Sequence, residues 1–134
     1  MTMQIADAFV GLRVIEFAQG VAAPYCGLLL GRNGADVIKV EPPVKGDWCR
    51  GLGLRKGDFS SEFIVLNRGK KSLALDMKTP DGRAAAFKLA SNADVIIENY
   101  RPSVTKRLGV DYAAVAAVNP RVVYASVTGF GPTG

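Results

Sequence analysis

The chain has 134 residues, 49% hydrophobic and 22% charged, a balance typical of one folded globular domain rather than a disordered segment. It contains no histidine and only two cysteines, Cys26 and Cys49, which lack CxxC spacing; this argues against a structural zinc, a disulfide framework and a Ser-His or Cys-His catalytic pair. The net charge of +5 favours an anionic partner, either a nucleic acid or a phosphorylated small molecule.

The first third of the chain predicts a βαβ unit. Its elements are a strand at 13–18 (RVIEFA), a turn at 20–24, a helix at 25–33 and a strand at 36–40 (DVIKV). Pro24, just before the helix, suits a first helical position, and Asn33-Gly34 ends the helix. Strand, helix and strand within thirty residues require the two strands to run parallel.

The middle of the chain begins with a long segment rich in glycine and proline, from Glu41 to about Ser60, whose length predicts a loop that is either functional or disordered. A short helix at 61–66 and a third strand at 72–75 follow. The next helix has Thr79 as its cap and Pro80 as its first residue. Its small and aromatic side chains recur at spacings of three and four, which predicts packing on a sheet: Ala86, Phe87, Ala90 and Ala93.

The last part of the chain predicts a fourth strand at 93–98 (ADVIIE), helical pieces at 103–108 and 112–118, and a final strand at 122–127. The strands DVIKV, DVIIE and VVYASV are continuously apolar, which is typical of a parallel sheet covered on both faces. The segments GADVIKVEPP and NADVIIENYRP are alike because two βα units use the same structural solution. We therefore predict an α/β fold with a Rossmann-like, open, mainly parallel sheet and helices on both faces.

The start of the chain, MTMQIADAF, lacks the basic and apolar regions of a signal peptide. The apolar stretch that follows is interrupted by Glu16, Gln19 and Pro24 before it reaches the roughly 18 to 20 residues that a membrane span needs. We expect a cytoplasmic protein with no membrane partner.

One candidate is a dinucleotide site, because Glu41 ends the second strand where a ribose-binding acid would lie. The turn after the first strand, however, reads AQGVAAP instead of GxGxxG, and Pro24 removes a backbone amide that a pyrophosphate would need. The sequence therefore disfavours NAD.

Two basic clusters are candidate phosphate seats. The first surrounds the third strand and contains Arg68, Lys70, Lys71 and Lys78, for which a solvated basic turn is an equally good interpretation. The second follows the fourth strand and contains Asn99, Tyr100, Arg101, Lys106 and Arg107; the alternative there is a helix entry capped by Ser103. Clusters after successive strands share one edge of a parallel sheet, which favours a phosphorylated small molecule over a nucleic acid.

Taken together, the segments LRVIEFAQGVAAPYCGLLLGRNGADVIKVEPPVKGD, LNRGKKSLALDMKTPDGR, ADVIIENYRP, LGVDY and NPRVVYASVTGFGPTG resemble the N-terminal part of the class III CoA-transferases. That superfamily includes formyl-CoA transferase, the carnitine CoA-transferases and α-methylacyl-CoA racemase. The resemblance runs from about Gly11 onwards and covers the front third of a family member.

The resemblance implies that residues 1–134 are a CoA-binding α/β portion of a large domain, and that a small domain and an interlocked homodimer belong to the full-length protein. It implies acyl-CoA and a carboxylate acceptor as substrates, with no tightly bound cofactor. In the transferases an aspartate attacks the acyl-CoA carbonyl and releases CoA thiolate; in the racemases a histidine and an aspartate exchange the α-proton. Both act after a G-F-G loop, here Gly129 to Gly131, so the catalytic aspartate is expected beyond Gly134 and no catalytic residue within the chain.

The resemblance also implies which residues hold the CoA nucleotide. These are Leu75, Asp76, Met77, Lys78, Asn99, Tyr100, Arg101 and Arg107. Two positions depart from formyl-CoA transferase: Val21 replaces a glutamine near the thioester and Pro42 replaces an arginine, which points to an acyl group other than formyl or oxalyl.

Acids within the chain are alternatives for the nucleophile, but Glu16, Glu41, Asp47 and Glu98 each have a structural role available in capping or ion pairing. Two further functions stay open at this point. One is the fragment of a racemase-type enzyme, and the other is a CoA- or nucleotide-binding module without catalysis.

Overall fold

The computed structural model describes residues 7–57 and 59–131. Its main feature is a five-stranded parallel sheet. The sheet is formed by β1 (Arg13–Phe17), β2 (Asp36–Glu41), β5 (Lys71–Ala74), β6 (Val95–Glu98) and β7 (Val123–Ser126). A two-stranded antiparallel hairpin is formed by β3 (Arg55–Lys56) and β4 (Phe59–Ser60). The helices are α1 (Ala22–Arg32), α2 (Ser61–Asn67), α3 (Pro80–Ala90), α4 (Val104–Leu108) and α5 (Tyr112–Ala116).

The strand order is β5-β2-β1-β6-β7. The chain adds strands on one side of β1 first and then returns to add strands on its other side. Val14 at the centre of β1 pairs with Val37 of β2 on one side and with Val95 of β6 on the other. This is the strand order of a Rossmann-type sheet, and it confirms the predicted fold class. The order reverses between β1 and β6, which is where such sheets bind ligands at their carboxyl ends.

The core lies on both faces of the sheet because successive strand residues point to opposite faces. Ile15 and Phe17 face one layer, where they pack with Ala86 and Ala90 of α3 and with Val115 of α5. Val14 faces the other layer with Val37, Ile97 and Ala23 of α1. The outer strands differ from the prediction of full coverage, since all four residues of β5 are exposed and Val123 of β7 is 61% exposed.

Several boundaries differ from those predicted. Helix α1 begins at Ala22, two residues before Pro24, because a proline lacks only a donor that the first helical turn leaves free in any case. The long segment after Glu41 is more ordered than a loop: it contains a 3₁₀ turn at Trp48–Gly51 and the β3-β4 hairpin. Thr79 caps α3 as predicted, accepting a hydrogen bond from the Gly82 amide at 3.1 Å. Over the described residues, none of the helices has the length and apolar character needed to cross a membrane.

Candidate functional site

A cleft of about 210 Å³ lies at the carboxyl ends of the strands and is called the first cleft below. It is bounded by the loop after β1, the end of β2, the turn after β5 and helix α4. Six of the eight residues predicted to hold a CoA nucleotide line it: Leu75, Asp76, Met77, Lys78, Tyr100 and Arg107. Gln19, Val40, Glu41, Pro42, Val104 and Leu108 complete its wall.

The other two predicted residues, Asn99 and Arg101, line an adjacent cleft of about 540 Å³, called the second cleft below. It shares Tyr100 with the first cleft, and its far wall is the Gly129–Gly131 loop with the exposed ring of Phe130. The eight predicted residues therefore lie at the carboxyl ends of the strands, which we call the carboxyl edge of the sheet, the opposite one being the amino edge. They are divided between two clefts on either side of Tyr100.

The turn after β5 holds its residues in place through local hydrogen bonds. The Asp76 carboxylate accepts a bond from the Lys78 amide at 3.0 Å, and the Asp76 carbonyl accepts one from the Thr79 hydroxyl at 2.9 Å. A side chain at Gly82 would meet that carbonyl, so only glycine lets the first turn of α3 approach so closely. Met77 is buried in the core and forms the floor of the cleft, while Lys78 is exposed at its rim.

The Tyr100 ring packs against the core between the two clefts. Its backbone amide donates to the Glu98 carboxylate at 2.9 Å, which fixes the turn that follows β6. Burial raises the pKa of the Tyr100 hydroxyl, and the nearby Glu98 charge raises it further, so the hydroxyl remains a neutral donor at physiological pH.

Asn99 uses its side-chain amide to hold the loop that follows β1. Its Oδ1 accepts a hydrogen bond from the Gln19 amide at 3.0 Å, and its Nδ2 donates to the Gln19 carbonyl at 2.6 Å. The pair joins the ends of β1 and β6 at the point where the strand order reverses. One donor and one acceptor of the Asn99 side chain are thus committed to the backbone of Gln19.

Beneath that loop lies a buried network of four charges: Glu16, Lys39, Asp47 and Lys70. Lys39 Nζ lies 2.9 Å from Glu16 Oε1 and 2.8 Å from Asp47 Oδ2, and Lys70 Nζ lies 2.8 Å from Glu16 Oε2. All four side chains are at most 3% exposed. Burial lowers the pKa of Lys70, although the nearby negative charge of Glu16 acts in the opposite direction. Two positive and two negative charges balance, which is the condition for keeping such a network inside a protein.

A second pair is formed by Glu41, which lines the first cleft, and Arg50. Arg50 grips both carboxylate oxygens of Glu41 at 2.8 Å, and Ser72 and the Asp47 amide each add a hydrogen bond at 2.9 Å. Burial alone raises the pKa of Glu41, but these four bonds outweigh it and bring the pKa to about 2. The Arg50 guanidinium also lies 3.7 Å above the Phe63 ring, which holds it flat.

The structure corrects the first basic cluster. Lys70 points into the buried network, and Lys71 pairs with Asp36 at 2.6 Å where β2 and β5 begin, on the opposite edge of the sheet. Of that cluster only Lys78 lines the first cleft. The alternative for the second cluster was a helix entry capped by Ser103. That cap is absent, because Ser103 adopts a left-handed conformation and its side chain makes no hydrogen bond to the start of α4.

Sequence reasoning missed a polar groove that shares Glu41 and Pro42 with the first cleft. It is lined by Lys45 and Arg55 as well as Arg50, all within the long segment predicted to be a loop. Their spacing in the chain carried no periodic signal, but the length and charge of the segment did mark it as functional.

Four acids near this edge are held by other groups of the protein. Glu16, Glu41 and Asp47 are paired with cations, and Glu98 accepts from the Tyr100 amide. Burial raises the pKa of the Cys49 thiol, and the neighbouring Asp47 charge raises it further. The arrangement at this edge can bind an anionic ligand with an aromatic or apolar portion, and these groups do not offer it an activated nucleophile.

Over residues 9–134 the chain matches the family model described as CoA-transferase family III. It is 42% identical over 131 residues to the succinate–glutarate CoA-transferase of Agrobacterium fabrum, a match that covers 92% of this chain and 33% of that protein. It is 44% identical over 126 residues to the acetyl-CoA:oxalate CoA-transferase of Acetobacter aceti, covering 94% and 32%.

Solved structures show the same similarity. A CAIB/BAIF family protein of Brucella suis superposes with a TM-score of 0.89 at 40% identity, covering 96% of this chain and 35% of that one. A protein of Mycobacterium tuberculosis superposes with a TM-score of 0.88 at 36% identity, covering 98% and 36%. The chain thus spans about a third of the length of the curated relatives it matches.

Proposed function

Because the chain belongs to CoA-transferase family III, we propose that it is the acyl-CoA-binding portion of an enzyme that moves CoA between an acyl-CoA and a carboxylic acid. In this proposal residues 1–134 supply the CoA-binding α/β part of the large domain. The nucleophilic aspartate and the small domain lie beyond Gly134, and two full-length chains form an interlocked homodimer.

The observation that carries the proposal is the composition of the first cleft. Lys78 and Arg107 place two exposed cations on its rim, while Leu75, Met77 and Leu108 give it an apolar floor. The polar groove beside it adds Lys45 and Arg55. An adenine nucleotide needs such cations for its phosphates, beside an apolar surface for its base. CoA carries three phosphate groups on one nucleotide, so it suits this edge better than a ligand with fewer charges.

The chemistry follows from where the acids are. In the proposed reaction an aspartate carboxylate attacks the acyl-CoA carbonyl carbon, the carbon–sulfur bond breaks, and CoA leaves as a thiolate while an acyl-enzyme anhydride forms. The thiolate then attacks the aspartyl carbonyl of the anhydride, which releases the donor acid and leaves CoA as a thioester on the aspartate. The acceptor carboxylate attacks that thioester and frees the thiolate, which attacks the acceptor carbonyl of the new anhydride to give the acceptor-CoA thioester and the free aspartate. Glu16, Glu41 and Asp47 are held by cations, which supports a nucleophile from outside these residues. The transferase branch is favoured over the racemase branch by the names of the relatives, which act on succinate, glutarate or oxalate.

The acyl group and the other partners belong to the proposal as well. Val21 is 55% exposed at the start of α1, and Pro42 lines the first cleft. Neither side chain can donate the hydrogen bonds of the glutamine and arginine that the family resemblance places there in formyl-CoA transferase. We therefore keep the expectation of an acyl group other than formyl or oxalyl, in a cytoplasmic protein without a nucleic-acid or membrane partner.

The test is calorimetric titration of the purified chain with CoA, 3′-dephospho-CoA and NAD. We expect CoA to bind best, because each phosphate contact made by a cation contributes about 1.5 to 3 kcal/mol. Lys78→Met and Arg107→Met should each weaken CoA binding by about tenfold or more.

The matched controls are Lys88→Met on the exposed side of α3 and Arg121→Met at the amino edge of the sheet, and neither should change the affinity. Equal affinity for CoA and NAD, or equal effects of the site and control variants, would contradict the proposal. Transfer itself is tested by acyl exchange between CoA and a panel of mono- and dicarboxylates in a chain extended through the downstream aspartate.

A further inference from the structure

Three side chains grip the backbone of the loop between β1 and α1, and we call Lys39, Asp47 and Asn99 the loop clamp. Lys39 Nζ donates to the Ala18 carbonyl at 2.6 Å. Asp47 Oδ1 accepts from the Gly20 amide at 3.0 Å. Asn99 bonds both the amide and the carbonyl of Gln19. Three consecutive loop residues are thus held through their backbone by groups from β2, the 3₁₀ segment and the end of β6.

The loop clamp is built into the interior rather than onto the surface. Lys39 and Asp47 are at most 1% exposed, and both belong to the charge network that includes Glu16 and Lys70. The Trp48 ring closes the loop from above: a side chain at Gly20, where φ is +83°, would come within 2.4 Å of it. A connecting loop ordinarily lies on the surface and moves more than the elements it joins. Buried charged groups hold the loop between β1 and α1, so we expect it to move less than an ordinary connecting loop.

The clamped loop separates the two clefts. Gln19 lines the first cleft, and Ala22, directly after the loop, lines the second. Two cations, Lys78 and Arg107, line the first cleft, whereas Arg101 lines the second beside the apolar surfaces of Pro102, Val127 and Phe130. A ligand with a phosphate-bearing end and a less polar end would place its phosphates in the first cleft and run past the loop toward the second.

We propose that Lys39, Asp47 and Asn99 are positioning residues that hold residues 18–20 at the junction of the two clefts, so that a ligand spanning both meets a preformed wall. The ligand part of this inference rests on the proposed acyl-CoA function. The clamp acts more on ligands that extend past the loop, such as intact CoA, than on those confined to the first cleft, such as adenosine 3′,5′-bisphosphate, because the first cleft meets the loop at Gln19 alone. Asn99 then serves binding through Gln19 instead of through a nucleotide contact of its own.

The first experiment measures amide hydrogen exchange in Asn99→Ala and Asn99→Asp. Asn99→Ala removes both bonds, so the Gln19 amide should exchange about tenfold faster or more. Asn99→Asp keeps an acceptor for that amide but loses the donor to the Gln19 carbonyl, so protection of the amide should largely survive. Asn119→Ala is the matched control, because Asn119 makes a similar bond to the Ala93 carbonyl, at 2.7 Å, on the opposite edge of the sheet. In Asn119→Ala the Gln19 amide hydrogen should exchange at the same rate as in the unaltered chain.

The second experiment titrates the same variants with CoA and with adenosine 3′,5′-bisphosphate, below the thermal transition of each. We expect Asn99→Ala to weaken CoA by about tenfold and to leave the bisphosphate within about twofold. Trp48 fluorescence provides a second reading, because its ring packs on Gly20 and should become more accessible to quencher when the loop is released.

The outcomes separate the two claims. Equal weakening of both ligands would overturn the inference, since it indicates a direct nucleotide contact. Unchanged exchange at Gln19 in Asn99→Ala would overturn it as well, whatever the ligand data. If the unaltered chain binds neither ligand, the proposed function fails and takes the ligand part of the inference with it, while the exchange data still decide whether the loop is clamped.

Discussion

The two edges of the sheet use the same kind of charge pair in opposite ways. At the amino edge Lys71 of β5 pairs with Asp36 of β2, and the two side chains are 68% and 39% exposed. Toward the carboxyl edge Lys39 of β2 pairs with Glu16 of β1, and these are 1% and 0% exposed. Both pairs join neighbouring parallel strands at a short distance, so exposure is the main difference between them.

Exposure decides what each pair can do. Water screens the pair at the amino edge, which leaves it worth about 0 to 1 kcal/mol. The buried network cannot be screened, and it must balance its charges and hydrogen bonds internally. That requirement fixes the positions of its members, and through them the Ala18 carbonyl and the Gly20 amide. The edge that carries both clefts is therefore also the edge with the stiffest support.

Lys39→Met should give the largest effect. The change leaves Glu16 and Asp47 buried with less positive charge, and the free energy of unfolding should fall by about 3 to 5 kcal/mol in urea denaturation. The exposed Lys88→Met on α3 serves as the control and should stay within about 0.5 kcal/mol. Equal losses for the two variants would remove the distinction between buried and surface charge.

Acid should weaken the carboxyl edge next. The pKa of Glu41 is lowered from its ordinary 4.5 to about 2 in the folded chain, so its contribution is complete above about pH 4.5 and is lost as the pH falls toward 2. We expect about 2 kcal/mol of stability to disappear over that window. Arg50→Met should shrink the pH dependence, because Arg50 supplies two of the bonds that lower this pKa. A profile for Arg50→Met that matches the unaltered chain between pH 5 and 2.5 would argue against this role.

Gly27→Ala tests how closely α1 approaches the buried network. Alanine ordinarily stabilises a helix interior by about 0.5 to 1 kcal/mol over glycine. Here the new methyl group would come within 2.0 Å of a Glu16 oxygen, so we expect a net loss of about 1 to 3 kcal/mol in thermal unfolding. Gly31→Ala in the same helix meets only a Val37 methyl at 3.3 Å and should cost less. A stabilised Gly27→Ala would contradict the close contact.

Lys71→Met should give the smallest effect. Removing this exposed partner of Asp36 should change the free energy of unfolding by less than about 1 kcal/mol, and raising the salt concentration should reduce the difference. Denaturation at low and at high sodium chloride measures both. A loss as large as that of Lys39→Met would mean that burial is not what separates the two edges.

Local patterns predicted most of the fold. The apolar runs at 36–40 and 93–98 became β2 and β6, and Thr79-Pro80 began α3, because strand preference and helix capping depend largely on neighbouring residues. The 3₁₀ turn and the β3-β4 hairpin escaped prediction. The Ser60 hydroxyl donates to the Cys49 carbonyl, 11 residues away, and this bond forms only when the segment folds back on itself.

The candidate site was predicted less completely. Lys70 and Lys71 are adjacent in the chain, yet one is buried beside Glu16 and the other exposed beside Asp36. Charge composition could not tell them apart, because the direction of a side chain at the start of a strand depends on register with the neighbouring strand. Lys78 and Arg107, far apart in sequence, were correctly expected at one edge because carboxyl ends of parallel strands converge.

Chain order and the continuously apolar strands were enough to predict an open parallel sheet and the edge at which the carboxyl ends of its strands converge, since both follow from local preferences and from the handedness of βαβ connections. The partner of each charge, the bonds from Asn99 to Gln19 and the division of the edge into two clefts came from packing between segments up to 80 residues apart. Side chains of the same type take opposite roles there, because burial changes the energy of a charge far more than its neighbours in sequence do.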